Sequence, residues 1–122
     1  MTPLLKYIDA WIANDPDRIA AAVHVQCTIT ECYGPVYLGR ERVREWASTW
    51  FGSGGVVHRW IVTDHFRHGD REAAQWQFEC TWDGNRSAFD GATVCRNDGG
   101  LVLELREYQT TAPLYEWKGS WH

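Results

Sequence analysis

Two glutamates are placed where proton transfer would need them. Glu31 closes a short β-branched run, Cys27-Thr28-Ile29-Thr30, just before Cys32-Tyr33-Gly34-Pro35 breaks it. A carboxylate at such a strand end can project into a cavity. Apolar surroundings would disfavour its charge, raise its pKa and let it carry a proton near neutral pH. The competing reading of Glu31 is a solvated glutamate at a strand end. Glu107 follows Leu103 and Leu105 at the two-residue spacing of one strand face. It therefore points inward among leucines unless a bulge shifts the register. An inward acid there is functional or paired, because an unpaired buried charge is costly. If both acids share one cavity, like-charge repulsion raises one of the two pKa values.

The other reactive side chains form weaker patterns. His58 shares parity with Trp60 and Val62, which would bring it to the mouth of a pocket; a surface histidine is the alternative. His65 and His68 are three apart on a strand and point to opposite faces, so they are not a metal pair. Cys27, Cys32, Cys80 and Cys95 show no CxxC spacing and read as reduced, buried thiols. Scattered Cys and His give no zinc site, and no metal or cofactor is expected. Ser48, Ser53 and Ser87 lie outside any nucleophile elbow, and no phosphate loop or dinucleotide fingerprint is present.

The elements that must hold these groups can be read from periodicity. Leu4, Leu5, Ile8, Trp11 and Ile12 recur at helical spacing, with Tyr7 one turn from Trp11. Asn14-Asp15-Pro16-Asp17 stops that helix and starts a second, capped by Asp15, which carries Ile19, Ala22 and Val23. The Cys27–Glu31 strand follows. Gly39 opens a third helix with Val43, Trp46 and Trp50 on one face, and Gly52-Ser53-Gly54-Gly55 ends it.

The rest is sheet. Val56 to Phe66 is a long strand. Ala74, Trp76, Phe78, Cys80 and Trp82 then alternate with Gln75, Gln77, Glu79 and Thr81, which predicts a strand with one buried face. Asp83-Gly84 is a two-residue hairpin signal, followed by strands from Arg86 to Arg96 and from Leu101 to Thr110. This register sets Cys80 near Ser87 and Cys95 opposite Glu72, roughly 25 Å apart and beyond disulfide reach. Asp90 is expected on the outer side, and Gly91 where the sheet bends.

Composition narrows the class of function. The 122 residues are 44% hydrophobic and 23% charged, with a net charge of -4, which suits one globular domain over residues 1–122. No Lys/Arg cluster suggests nucleic acid. Nothing reads as a signal peptide or a membrane span, so a cytoplasmic protein is expected. The unusual count is Trp 8. Such costly side chains either pack a core and an interface or wall a cavity.

The order helix, helix, strand, helix, then antiparallel meander resembles the nuclear transport factor 2-like superfamily, which includes SnoaL-like proteins, ketosteroid isomerase and polyketide cyclases. The likeness rests on Asp15-Pro16-Asp17, Glu31 through Pro35, Gly39-Arg40-Glu41, Ala88-Phe89-Asp90-Gly91, and Gly100 through Leu105-Arg106-Glu107-Tyr108. It implies an α+β, cone-shaped, cystatin-like fold, with about three N-terminal helices packed on a curved antiparallel sheet around a pocket. It also implies that Glu31 matches the isomerase's catalytic base and Tyr7 its oxyanion-stabilising tyrosine. Thr93 falls where the isomerase has a protonated aspartate, a departure that argues against steroid isomerisation itself. The expected pocket wall is Tyr33, Trp46, Trp50, His58, Trp60, Trp76, Phe78, Trp82, Phe89 and Thr93.

Three functions remain open. One is a cofactor-independent isomerase, lyase or cyclase acting on a small hydrophobic carbonyl compound, with Glu31, Tyr7 and Glu107 as its working groups. Another is a binding module for an apolar ligand. The third is a dimeric accessory protein, since the resemblance implies a homodimer through the convex sheet face, here Gln75, Gln77, Ala92, Val94 and Tyr108.

Overall fold

Thr2 starts the first helix: its side chain accepts from the Leu5 amide and Pro3 fills the first turn. In the computed structural model, which describes residues 1–122, this helix is α1 (Pro3–Ile12). Asp15 caps α2 (Pro16–Ala22) by accepting from the amides of Asp17 and Arg18. The remaining elements are β1 (Val23–Thr30), β2 (Val36–Leu38), α3 (Arg40–Gly52), β3 (Val56–His68), β4 (Arg71–Trp82), β5 (Asn85–Asp98) and β6 (Leu101–Gln109). Three helices pack on one six-stranded sheet of order β2-β1-β6-β5-β4-β3. This is the expected α+β architecture.

Four details depart from the sequence expectations. Val23 does not end the second helix; it takes extended geometry and opens β1, as a β-branched residue prefers. The segment after Pro35 returns as β2, pairing antiparallel with β1 through Ile29↔Tyr37 and Thr30↔Val36. The sheet is mixed rather than antiparallel, because β1 runs parallel to β6, with Ile29↔Leu105 and Thr30↔Arg106 in register. Finally, β3 bulges between Val57 and Arg59, so that His58 is the extra residue.

The long hairpin follows its expected register, with Glu72↔Cys95 and Cys80↔Ser87, and all four cysteines are free. Val57 and Trp60 of β3, together with Ala74, Trp76 and Cys80 of β4, form the inner face; Gln75 and Gln77 are exposed. The core joins Leu4, Tyr7, Ile8 and Trp11 of α1 to Val43 and Ala47 of α3 and to Val23, Cys27, Ile29, Val102 and Leu105 of the β1/β6 pair. Burying one aromatic side chain removes roughly 200 Å² from water. Each such burial contributes on the order of a few kcal/mol, so the aromatic residues carry much of the core's apolar stabilisation.

Gly91 does more than allow curvature. A Cβ there would lie 2.5 Å from Cη2 of Trp76 and 2.3 Å from the Tyr108 carbonyl oxygen. The missing side chain is the space into which the Trp76 indole folds.

Candidate functional site

A cavity of about 730 Å³ opens between the inner face of the sheet and helices α1 and α3. Tyr7 and Trp11 line it from α1, and Trp46, Thr49 and Trp50 from α3. Trp60, Trp76, Phe78, Cys80, Trp82 and Phe89 supply the sheet wall, while Glu31, Cys32, Tyr33 and Tyr37 come from the β1–β2 hairpin. Glu107 reaches in from β6, and Arg42, Glu45, Ser53 and Ser87 also contribute. The rings mostly meet edge to face, as in Trp60–Trp76 at 5.5 Å and Trp60–Phe78 at 5.3 Å, which is the arrangement their quadrupoles favour.

The parallel β1–β6 pairing brings the acids together. Glu31 lies two residues beyond Ile29, and Glu107 two beyond Leu105. Continuing the Ile29↔Leu105 register therefore sets them side by side on the inner face. Strand neighbours of this kind sit about 5 Å apart along the hydrogen-bonding direction. The two carboxyls interact: burial first, then the charge of Glu31, pushes the Glu107 carboxyl up to about 8. Burial also raises Glu31, but a hydrogen bond from the Tyr37 hydroxyl to Oε1, at 2.6 Å, opposes that rise. Because the charge of Glu31 is one cause of the rise at Glu107, Glu31 gives up its proton first and Glu107 keeps its own up to about 8.

Tyr37 holds this position because β2 pairs with β1. It stands opposite Ile29 and so lies diagonal to Glu31 on the same face. The indole of Trp46 stacks on its ring at 4.0 Å and 7°. At Glu31 itself the backbone is tied: its amide donates to the Pro35 carbonyl at 3.0 Å, and its carbonyl accepts from the Gly34 amide at 3.2 Å.

Tyr7 lines the cavity from α1 and is almost wholly buried. Burial first, then the charge of Glu107, raises its phenol well above the ordinary range, while the Trp11 indole N–H lowers it without meeting hydrogen-bond geometry. The Tyr7 hydroxyl and the indole N–H groups of Trp11 and Trp60 are closed to solvent and have no partner in the protein. The two thiols in the cavity are not primed for nucleophilic attack: burial pushes Cys32 up to about 11 and also raises Cys80.

Of the residues expected to form the site, Glu31, Tyr7, Glu107, Tyr33, Trp46, Trp50, Trp60, Trp76, Phe78, Trp82 and Phe89 line this cavity. Two do not. His58 is turned out by the β3 bulge, is exposed, and hydrogen-bonds Thr81 at 2.7 Å. Thr93 faces inward but is fully buried, and its hydroxyl accepts from the Trp76 indole at 2.8 Å. It holds the wall in place and does not reach the cavity. Tyr37 and Trp11 were missed. The Tyr37 signal lies in its place beyond the Gly34-Pro35 turn, where a hairpin return would bring it back beside Glu31; Trp11 lay on the helix-1 apolar face.

Comparison with known proteins bears on the fold and the family. The sequence profile of the SnoaL-like domain matches residues 4–105. An LEH-like epoxide hydrolase of M. tuberculosis superposes with a TM-score of 0.79 at 15% identity, covering 88% of this chain and 80% of that one. A protein from Catenulispora acidiphila with a ketosteroid isomerase-like fold, crystallised with trimethylamine, gives 0.73 at 18% identity over 88% and 86% of the two chains. A protein from Shewanella denitrificans assigned as a SnoaL-like polyketide cyclase gives 0.74 at 14%, covering 88% of each. Such distant likenesses establish the fold alone. No curated protein matches the chain at a significant level.

Proposed function

We propose that this chain, which belongs to the SnoaL-like domain family, is a cofactor-independent isomerase, lyase or cyclase that transfers a proton on a hydrophobic carbonyl compound, with Glu31 as the acid–base group. The supporting observation is that two acids with different surroundings line one aromatic cavity: Glu31 accepts a hydrogen bond from Tyr37, while burial and the charge of Glu31 push Glu107 up to about 8. The step common to these reactions is enolisation. Glu31 takes a proton from the carbon next to the carbonyl, and the electrons of the broken C–H bond form a C=C bond while charge moves to the carbonyl oxygen. Glu107 donates its proton, as a hydrogen bond or outright, to that oxygen. Glu31 then returns the proton to a different carbon, or the enol attacks or expels a group. Tyr7 is the second donor, its phenol kept protonated by burial.

Glu107 thereby takes the role that the family resemblance would have given to position 93. It is the cross-strand partner of Thr93, so the neutral acid has moved one strand across the sheet. The four free thiols suit a reducing cytoplasm. The exposed Val94 and Tyr108 would lie in a homodimer contact on the outer face.

Ring opening of a nitrobenzisoxazole reads the proposal without knowledge of the natural substrate, because a carboxylate in an apolar site removes its C–H proton unaided. Glu31→Gln should lower kcat/KM by about 10²-fold or more while the probe still binds. Equal rates for the wild type and Glu31→Gln would overturn the enzymatic reading in favour of a ligand-binding module.

A further inference from the structure

The two oxygens of Glu31 are not equivalent. Oε1 accepts from the Tyr37 hydroxyl at 2.6 Å, whereas Oε2 has no hydrogen-bond partner in the protein. The donor is itself held. Tyr37 lies flat against Trp46 at 4.0 Å, and Trp46 is wedged against Trp11 of α1 at 4.8 Å. With the carboxylate's backbone fixed by the Pro35 and Gly34 contacts, the chain of contacts runs from α1 through α3 and β2 to a single oxygen. A three-residue edge strand alone would hold a phenol loosely; the stack on a long helix removes that freedom.

We propose that Tyr37 and Trp46 are the positioning pair for Glu31: the phenol fixes Oε1, the indole fixes the phenol, and Oε2 is left as the oxygen that receives the substrate proton. This rests on Glu31 being the base proposed above. The pair also explains why two neighbouring acids take different parts. The groups facing Glu31 are Tyr37 from β2, Glu107 from β6, Tyr7 from α1, and Cys32 and Tyr33 from its own loop. Of these, only Tyr37 donates a hydrogen bond to it, so it favours the charged form of Glu31 over that of Glu107.

Carboxyl-carbon NMR titration of wild type, Tyr37→Phe and Trp46→Leu tests the pair without requiring turnover. Tyr37→Phe keeps the stacked ring, so the fold is retained. Its Glu31 carboxyl should titrate at higher pH than in the wild type, with Glu107 moving the opposite way as the two acids become more alike. Trp46→Leu should show the same changes to a smaller extent. With the nitrobenzisoxazole probe, kcat/KM should fall about tenfold to a hundredfold in Tyr37→Phe with little change in KM, and by less in Trp46→Leu, whose indole also lines the cavity. An unchanged Glu31 titration in Tyr37→Phe overturns the pair, and an unchanged one in Trp46→Leu removes Trp46 from it. A shifted titration beside a probe rate that Glu31→Gln does not lower would keep the pair and refute the enzymatic reading.

Discussion

Glu72 and Glu107 are both recessed acids on the inner face of the same sheet, yet their surroundings drive them in opposite directions. Glu72, on β4 beneath the start of α1, accepts from the Leu4 amide at 3.0 Å and from Asn97 at 2.8 Å, and lies 2.8 Å from His65 Nε2. Burial alone would raise its pKa, but the nearby Thr2 side chain and the hydrogen bonds with Leu4, Asn97 and His65 together bring it below the ordinary value. Glu107 has no such partners. Burial and the charge of Glu31 take it up to about 8. Burial therefore does not by itself make a carboxylate reactive. What separates the structural acid from the chemical one is the number of donors the protein commits to it.

The comparison predicts opposite responses to mutation and to pH. The largest change in stability should come from Glu72→Ala. It strands the Leu4 amide and the Asn97 amide group inside the fold, which costs about 3–5 kcal/mol in urea unfolding. Glu72 titrates below its unfolded value of about 4.5, so its contribution is present above that pH and is lost as pH falls through the lower, folded value. Titration of the cavity acids should remain unchanged in any Glu72 variant that stays folded. A Glu72→Ala protein as stable as the wild type would end the distinction.

The smaller change, of opposite sign, should come from Glu107→Gln. The wild-type acid holds its proton more tightly folded than unfolded. Its stabilising effect is therefore complete below about 4.5 and declines as pH rises to about 8. An amide carries no such penalty. At pH values above about 8 the variant should be more stable than the wild type by on the order of a few kcal/mol, with a flatter stability profile between those limits. Parallel stability profiles for the two proteins would place Glu107 among the ordinary surface acids.

Much of this contrast could be read from the sequence, and the part that could not has physical causes. Strict alternation exposed the inner face of β4, and the Asp83-Gly84 turn fixed the hairpin register, including Glu72 opposite Cys95. The inward direction of Glu107 followed from Leu105 alone, because Leu103 is the extra residue of a β6 bulge and the buried residue before it is Val102. The meeting of Glu107 with Glu31 depends on parallel pairing between strands at opposite ends of the chain, and no local pattern encodes that. A bulge is equally silent: one extra residue at His58 leaves the apparent alternation with Trp60 intact while turning the ring outward. Thr93 was placed on the correct face, but only packing shows that Trp76 takes its hydroxyl. Tyr37 was missed because three residues of exposed edge strand carry too little periodicity to be recognised.

The central claim is that Glu31 and Glu107 sit in one cavity in different protonation states at neutral pH. A carboxyl-carbon NMR titration of the wild-type protein measures this directly. The account predicts one glutamate carboxyl titrating near 8, absent from the Glu107→Gln spectrum, with Glu31 already ionised at neutral pH. If every glutamate instead titrated in the ordinary range around 4.5, the two acids would be independent and the proposed division of roles would fail.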